Sequence, residues 1–128
     1  MKKSLSIQEI MDFARKYFRE VARSGNAVPS DAVLDKAMEI IVETEQNDSS
    51  FTGKSYRTRC ASAVYIALML DKTKGNYVTQ TRLADAFNCS EVSIRNVYKD
   101  MLKSYSKRHV LEPPRQVFGW ARKEIFKL

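Results

Sequence analysis

The fold of this chain is decided by residues 79–105, TQTRLADAFNCSEVSIRNVYKDMLKSY, whose apolar residues fall where two helices joined by a tight turn must bury them. Asn88 occupies the turn position that requires a left-handed backbone, and Ala84 is the small residue where the two helices cross. The five apolar positions of such a pair are filled by Leu83, Phe87, Cys89, Ile94 and Val97. The spacing therefore predicts a helix-turn-helix.

The second helix of this pair has two different faces. Ser90 is placed to cap its start, and a rotation of about 100° per residue separates an inner side from an outward stripe. The inner side consists of Ile94, Val97, Tyr98, Met101, Leu102 and Tyr105, and the outward stripe of Val92, Arg95, Asn96, Lys99 and Lys103. Four residues of the stripe carry groups that bond base edges or phosphates, and Val92 can contact a thymine methyl.

A DNA-reading helix is therefore the first hypothesis. We expect Val92, Arg95 and Asn96 to contact bases, and Lys99 and Lys103 to contact phosphates. The alternative is a solvated face with one stray valine, on a helix pair that merely packs.

Other candidates for phosphate contact lie where two helices begin. Thr79 and Gln80 open the first helix of the pair, and Lys54, Arg57 and Arg59 surround the start of an earlier helix. For the two arginines, simple solvation is the alternative. Gly53-Lys54-Ser55 imitates the end of a phosphate-binding P-loop, but Asp48 stands where the first glycine would be, so we do not expect nucleotide binding.

The charge distribution agrees with a nucleic-acid partner. The chain has 128 residues, which is enough for one domain with a single core. Its net charge is +7. Residues 1–50 have 7 basic and 9 acidic side chains, whereas residues 51–128 have 15 and 6. The basic half contains the helix-turn-helix, as expected for a protein that binds phosphates. The charge is spread over several elements, which makes an anionic membrane a poorer explanation.

Cysteine and histidine usage argues against a metal site. Cys60 and Cys89 are the only cysteines and His109 the only histidine, so we expect buried reduced thiols, no zinc, no cofactor and an intracellular protein. The start, MKKSLSIQE, lacks the apolar stretch of a signal peptide, and no apolar run is long enough to span a bilayer. No set of residues suitable for nucleophilic catalysis is apparent, so we do not expect an enzyme.

Two earlier helices are indicated before residue 50. Ser6 and Glu9 form a capping box at the start of the first, which Gly25 ends. Ser30 follows Pro29 and starts the second, which we expect to fade before the polar linker 46–52.

A third helix begins at Ser55 or Lys54, and its residues 60–70 are apolar nearly all round. A helix without a polar face cannot lie on a surface, so this one should be central and surrounded by the others. The turn 72–76 then leads to the helix-turn-helix. The predicted fold class is all-α.

Two segments of the chain resemble a known family. GKSYRTRCASAVYIALML (53–70) and VTQTRLADAFNCSEVSIRNVYKDML (78–102) are similar to the second half of one cyclin-like repeat of the transcription initiation factor B family, called TFIIB in eukaryotes and TFB in archaea. In that family, the fourth and fifth helices of the second repeat read the promoter element upstream of the TATA box in the major groove. The resemblance implies that role for Val92 and Arg95.

The chain also departs from the family pattern. Tyr56 and Thr58 stand where a Pro and a Gly are usual, and Arg59 replaces an apolar residue. The ribbon cysteines of complete members are missing, and there is room for one repeat only. We therefore expect DNA binding by a lone repeat, as in a small archaeal or viral regulator, with TATA-binding protein as a further candidate partner.

Residues 1–105 are thus predicted to form one cyclin-like domain, and residues 106–128 a linker and a tail helix. The tail helix would put Val117, Phe118, Ala121, Ile125 and Leu128 on one side, packed on the core or docked on a partner. Weak homodimerisation through this tail is a further expectation. Two functions remain at this point, a DNA-binding transcription factor and a cyclin-like protein adaptor.

Overall fold

The computed structural model describes residues 6–48, 55–71, 78–111 and 125–126, and within them the chain forms helices and no strand. The helices are α1 (Ile7–Arg23), α2 (Asp31–Asn47), α3 (Tyr56–Leu70), α4 (Gln80–Phe87) and α5 (Glu91–Ser106). Helix α3 lies at the centre, because it contacts each of the other four. The all-α fold predicted from the sequence is confirmed.

The central position of α3 follows from its composition. Ala61, Ala63 and Val64 are fully buried, and Leu68 is half-buried against the core. Small side chains on several sides of a helix allow neighbouring helices to approach closely, and the absence of a polar stripe leaves no face that favours solvent. The prediction that this helix is surrounded is therefore confirmed.

The ends of α1 and α2 follow the predicted capping signals. The Ser6 hydroxyl accepts the Glu9 N–H at 3.1 Å, and the Glu9 carboxylate accepts the Ser6 N–H at 3.4 Å, which completes a capping box. Gly25 has a φ of +80°, a left-handed conformation that ends α1. The Ser30 hydroxyl accepts the Val33 N–H at 3.2 Å and starts α2.

Helix α2 extends two residues into the segment predicted to be a linker. The Asn47 side-chain amide donates to the Glu43 carbonyl at 2.9 Å, and the Asp48 N–H donates to the Thr44 carbonyl at 2.8 Å. The second bond continues the i to i−4 pattern of the helix, and the first adds a side-chain donor to its last turn, so α2 continues through Asn47.

Two sequence predictions lie largely outside the described residues. The turn 72–76 is one, and the tail helix after residue 113 is the other. Of the tail, only residues 125 and 126 are described; they lie in a turn, and Ile125 packs against the hydrophobic core. The tail helix and its proposed self-association therefore remain predictions.

Candidate nucleic-acid interface

The turn between α4 and α5 has the geometry that the sequence predicts. Asn88 adopts φ 53° and ψ 54°, the left-handed conformation. The Cys89 N–H donates to the Ala84 carbonyl at 3.0 Å and the Asn88 N–H to the Asp85 carbonyl at 3.4 Å, the bonding of a Schellman motif. This turn fixes the direction in which α5 leaves α4.

Hydroxyl caps set the starts of both helices. The Thr79 hydroxyl oxygen accepts the Arg82 N–H at 3.1 Å, and the Ser90 hydroxyl oxygen accepts the Ser93 N–H at 3.1 Å. Each cap occupies a backbone donor that would otherwise be unsatisfied. The predicted role of Ser90 as a cap is confirmed, and the structure adds Thr79 as the cap of α4.

The inner face of α5 is buried as the periodicity predicts. Ile94, Met101 and Leu102 are almost completely buried in the core. Tyr98 packs edge-to-face on Tyr65 of α3, with 4.8 Å between ring centroids. Because this face is locked against the central helix, the opposite face of α5 is held outward.

The outward face of α5 presents the predicted stripe. Val92 is 58% exposed, Arg95, Asn96 and Lys99 are also exposed, and Lys103 is half-buried. A shallow depression of about 310 Å³ runs along this face, lined by Val92, Arg95, Asn96, Lys99, Asp100 and Lys103. The structure thus brings together all five residues of the predicted stripe, and adds Asp100.

The residues at the start of α4 lie at the surface. Thr79 is exposed and Gln80 is half-buried. As the Thr79 oxygen accepts a backbone N–H, its own O–H proton is free to donate to a further acceptor, such as a phosphate oxygen. Capping and phosphate contact are therefore compatible at this residue.

The candidates near the start of α3 have different environments. Arg57 is half-buried, and its Nη1 donates to the Phe87 carbonyl at 3.5 Å, at the C-terminal end of α4. This contact attaches the start of α3 to the helix-turn-helix, while further guanidinium donors of Arg57 can still reach a ligand. Lys54 lies outside the described residues.

The structure contradicts the sequence expectation that Arg59 contacts a phosphate. It is 4% exposed, its guanidinium forms an ion pair with Glu45 of α2, and it lies over the Tyr56 ring, 4.1 Å from the centroid. A buried guanidinium with a carboxylate partner is not available to a phosphate without rearrangement of α2 and α3. The charge of Arg59 therefore contributes to the packing of α3 on α2.

A contact between α4 and α5 was not predicted from the sequence. The Thr81 hydroxyl donates to the Glu91 carboxylate, with 2.6 Å between Oγ1 and Oε1. Both residues are exposed, and each lies in the first turn of its helix. The helix-turn-helix pattern was the only feature of the sequence that could have indicated this contact, because it brings the starts of the two helices close together.

Metal binding and thiol chemistry gain no support from the described residues. No group of three or more potential metal ligands occurs among them. Cys60 is buried, which raises the pKa of its thiol to about 12, and burial also raises the pKa of the half-buried Cys89. Within the same residues, no helix combines the length and apolar character needed to cross a membrane.

Comparison with known proteins agrees with this arrangement. A model of the transcription factor TFIIB repeat matches residues 14–104. The chain is 36% identical, over 75 residues or 59% of its length, to transcription initiation factor IIB 3 of Halobacterium salinarum and to transcription initiation factor IIB of Haloarcula vallismortis. The matched part spans 22% of the first relative and 62% of the second. No solved structure matches the chain.

The fold and its outward α5 face define an all-α, cyclin-like unit that carries a helix-turn-helix. The match over residues 14–104 is more specific: the chain belongs to the TFIIB repeat family of transcription factors. The resemblance seen in the sequence is thereby confirmed, and the relatives named above are archaeal.

Proposed function

We propose that this chain is a sequence-specific DNA-binding transcription factor that reads duplex DNA in the major groove with α5. The observation that carries the proposal is the outward face of this helix, where Val92, 58% exposed, lies beside the exposed Arg95 and Asn96. The major groove admits an α-helix, and residues in the first turns of such a helix reach base edges.

Each of these three residues has a role that its chemistry suits. Arg95 presents a planar pair of donors to O6 and N7 of guanine, and Asn96 can pair with N6 and N7 of adenine. Val92 contacts a thymine methyl. All three lie within the first two turns of α5, close enough together to read adjacent base pairs.

The phosphate contacts surround this reading surface. Lys99 and Lys103 continue along α5, while Thr79 and Gln80 lie at the start of α4. Arg57 supplies a further cation beside the end of α4. Such contacts fix the register of a protein on the duplex without reading its sequence. Lys54 remains a candidate from the sequence alone, and Arg59 is left out because it is buried in an ion pair.

The family supports a partner among transcription proteins. The two relatives are named as transcription initiation factors, so we propose that this chain also acts within the transcription machinery. TATA-binding protein is a candidate partner on the basis of the family resemblance of the sequence. Because the matched segment covers 22% and 62% of those relatives, this partner is a proposal for the repeat alone.

One observation favours the adaptor function instead. Phe13 on α1 is 60% exposed, and a large apolar side chain at the surface can anchor a protein partner. The basic half of the chain would then serve mainly to keep the protein soluble. A single exposed phenylalanine is common on protein surfaces, so DNA binding remains the better supported function.

Selection of bound sites from a random DNA pool is the experiment that tests DNA binding. We expect enrichment of a short motif, and the affinity for it to fall about 100-fold between 50 and 200 mM salt, as for a protein that neutralises several phosphates. A pool that enriches no motif, together with weak duplex binding at both salt concentrations, would contradict the proposal and favour the adaptor.

A further inference from the structure

We infer that Glu91 is a further sequence-reading residue, which selects cytosine at one position of the DNA site, and that Thr81 is the residue that positions it. The inference rests on the proposed function, because it concerns the same surface of α5. It starts from the 2.6 Å hydrogen bond between Thr81 Oγ1 and Glu91 Oε1, which joins the first turns of α4 and α5.

Glu91 lies where a base-reading residue is needed. It is the first residue of α5, directly before Val92 and one helical turn before Arg95, so it shares the leading end of the helix with both. Its side chain is exposed. When this end of α5 enters the major groove, Glu91 enters with it.

The bond from Thr81 restricts where the carboxylate can point. A glutamate side chain has several rotatable bonds, and free rotation makes a poor reader of one base. The hydroxyl of Thr81 donates to one carboxylate oxygen and thereby holds the group across the gap between the two helices. A carboxylate accepts about four hydrogen bonds, so it retains capacity for a donor on the DNA.

The chemistry of the carboxylate identifies the base. An ionised carboxylate only accepts, and in the major groove cytosine offers its N4 amino group as a donor. Guanine presents the acceptors O6 and N7, and thymine presents the acceptor O4, so both repel the carboxylate. Adenine has a donor at N6 beside an acceptor at N7, which makes it a weaker partner than cytosine.

A negative charge at this position also lowers affinity for unsuitable DNA. Glu91 approaches the phosphates whatever the sequence, and its repulsion is offset only where a cytosine amino group meets it. Replacement by glutamine removes the repulsion and retains the shape. The Glu91→Gln variant should therefore bind scrambled DNA more tightly than the unaltered protein does.

The test compares variants of the full chain in site selection from a random pool and in affinity for a selected and a scrambled duplex. For Glu91→Gln we expect one enriched position to change from cytosine towards adenine, the base that an amide pairs with bidentately, and the ratio of the two affinities to fall about tenfold. Glu20→Gln on α1 removes the same charge from an exposed site and is the matched control, for which we expect the same motif as for the unaltered protein.

Thr81 is tested by two further replacements. Thr81→Val removes the hydroxyl with little change of shape and should weaken the cytosine preference, whereas Thr81→Ser keeps the hydroxyl and should restore it. Thermal unfolding of every variant shows whether the fold is intact. A merely structural role for the Thr81–Glu91 bond would change the unfolding temperature and leave the enriched base unchanged.

The outcomes separate this inference from the function it rests on. An unaltered protein that enriches a motif, together with a Glu91→Gln variant that enriches the same base at every position, overturns the inference and leaves DNA reading intact. An unaltered protein that enriches nothing overturns both. A change of the enriched base in Glu91→Gln, together with a weaker cytosine preference in Thr81→Val but not in Thr81→Ser, establishes the inference.

Discussion

At the scale of single residues, α5 carries side chains of two kinds that predict different binding behaviour. Arg95 lies near the start of the helix and Lys99 one turn farther along. Replacement of Arg95 by Ala should cost about 1–3 kcal/mol of binding free energy on a selected duplex and much less on a scrambled one, because base contacts carry the discrimination. Titration of both duplexes at one fixed salt concentration measures this difference.

Lys99→Ala should weaken both duplexes to a similar extent and reduce the slope of log affinity against log salt by about one unit. Lys16→Ala, on the exposed surface of α1, removes the same charge from another helix and serves as the control. Equal losses on both duplexes for Arg95→Ala would show that Arg95 contacts phosphate only, even in a protein that binds DNA.

Arg59 shows how a cation in the sequence can belong to the core. Its guanidinium connects α3 to Glu45 of α2 and lies over the Tyr56 ring, so two departures from the family pattern, Tyr56 and Arg59, contact each other. Arg59→Met should destabilise the fold by about 2–4 kcal/mol, since it leaves Glu45 partly buried without this partner. Chemical denaturation measures the loss, and the double variant with Glu45→Gln should recover part of it. If the folded Arg59→Met protein bound DNA more weakly than the unaltered chain, Arg59 would have a role in DNA binding.

At the scale of the elements, the turn between α4 and α5 depends on one backbone conformation. Asn88 has a φ of 53°, a region that alanine adopts at a cost of about 1 kcal/mol and glycine adopts freely. Asn88→Ala should therefore lower the free energy of unfolding by about 1 kcal/mol, whereas Asn88→Gly should leave it nearly unchanged. Urea denaturation of the two variants checks this pair, and equal losses for both would mean that the Asn88 side chain, and not its backbone, holds the turn.

The elements were the most predictable level of this structure. Periodicity located the five helices of the described residues, and the sequence also indicated where three of them start, since Ser6, Ser30 and Ser90 each cap a helix through the side chain. The central place of α3 followed from its apolar circumference. These features are local, and a linear sequence records them directly.

Contacts between distant elements were not predictable in the same way. The sequence predicts a surface cation at Arg59, because its position opposite Glu45 depends on how α2 packs on α3. The Thr81–Glu91 bond depends on the distance between two helix starts, and the lining of the α5 depression by Asp100 depends on side-chain packing. The residues of the candidate interface could be predicted individually, but their partners required the fold.

At the scale of the whole molecule, Glu43 connects α2 with the chain that follows the reading helix. Its carboxylate accepts from Arg108 Nε at 3.0 Å and bonds His109 Nε2 at 2.6 Å. His109 is stacked on Tyr105 at the end of α5, with 4.1 Å between ring centroids. The end of α5 is thereby attached to the acidic half of the molecule, opposite in charge to the half that contains the helix-turn-helix.

This cluster predicts how stability responds to acid. Burial alone would raise the pKa of Glu43, but the hydrogen bonds from His109 and Arg108 outweigh it and lower that pKa below its ordinary value of 4.5. The ionised form is therefore favoured in the folded protein, so the contribution of Glu43 to stability is fully present above about pH 4.5 and is lost as the pH falls through the lowered pKa.

Glu43→Gln should reduce the free energy of unfolding at pH 7, and the difference from the unaltered chain should shrink as the pH is lowered below 4.5. Urea denaturation at a series of pH values measures this difference, with Glu20→Gln, an exposed carboxylate on α1, as the control for net charge. A difference that stays constant down to pH 3 would mean that the charge of Glu43 does not stabilise the link between α2 and the end of α5.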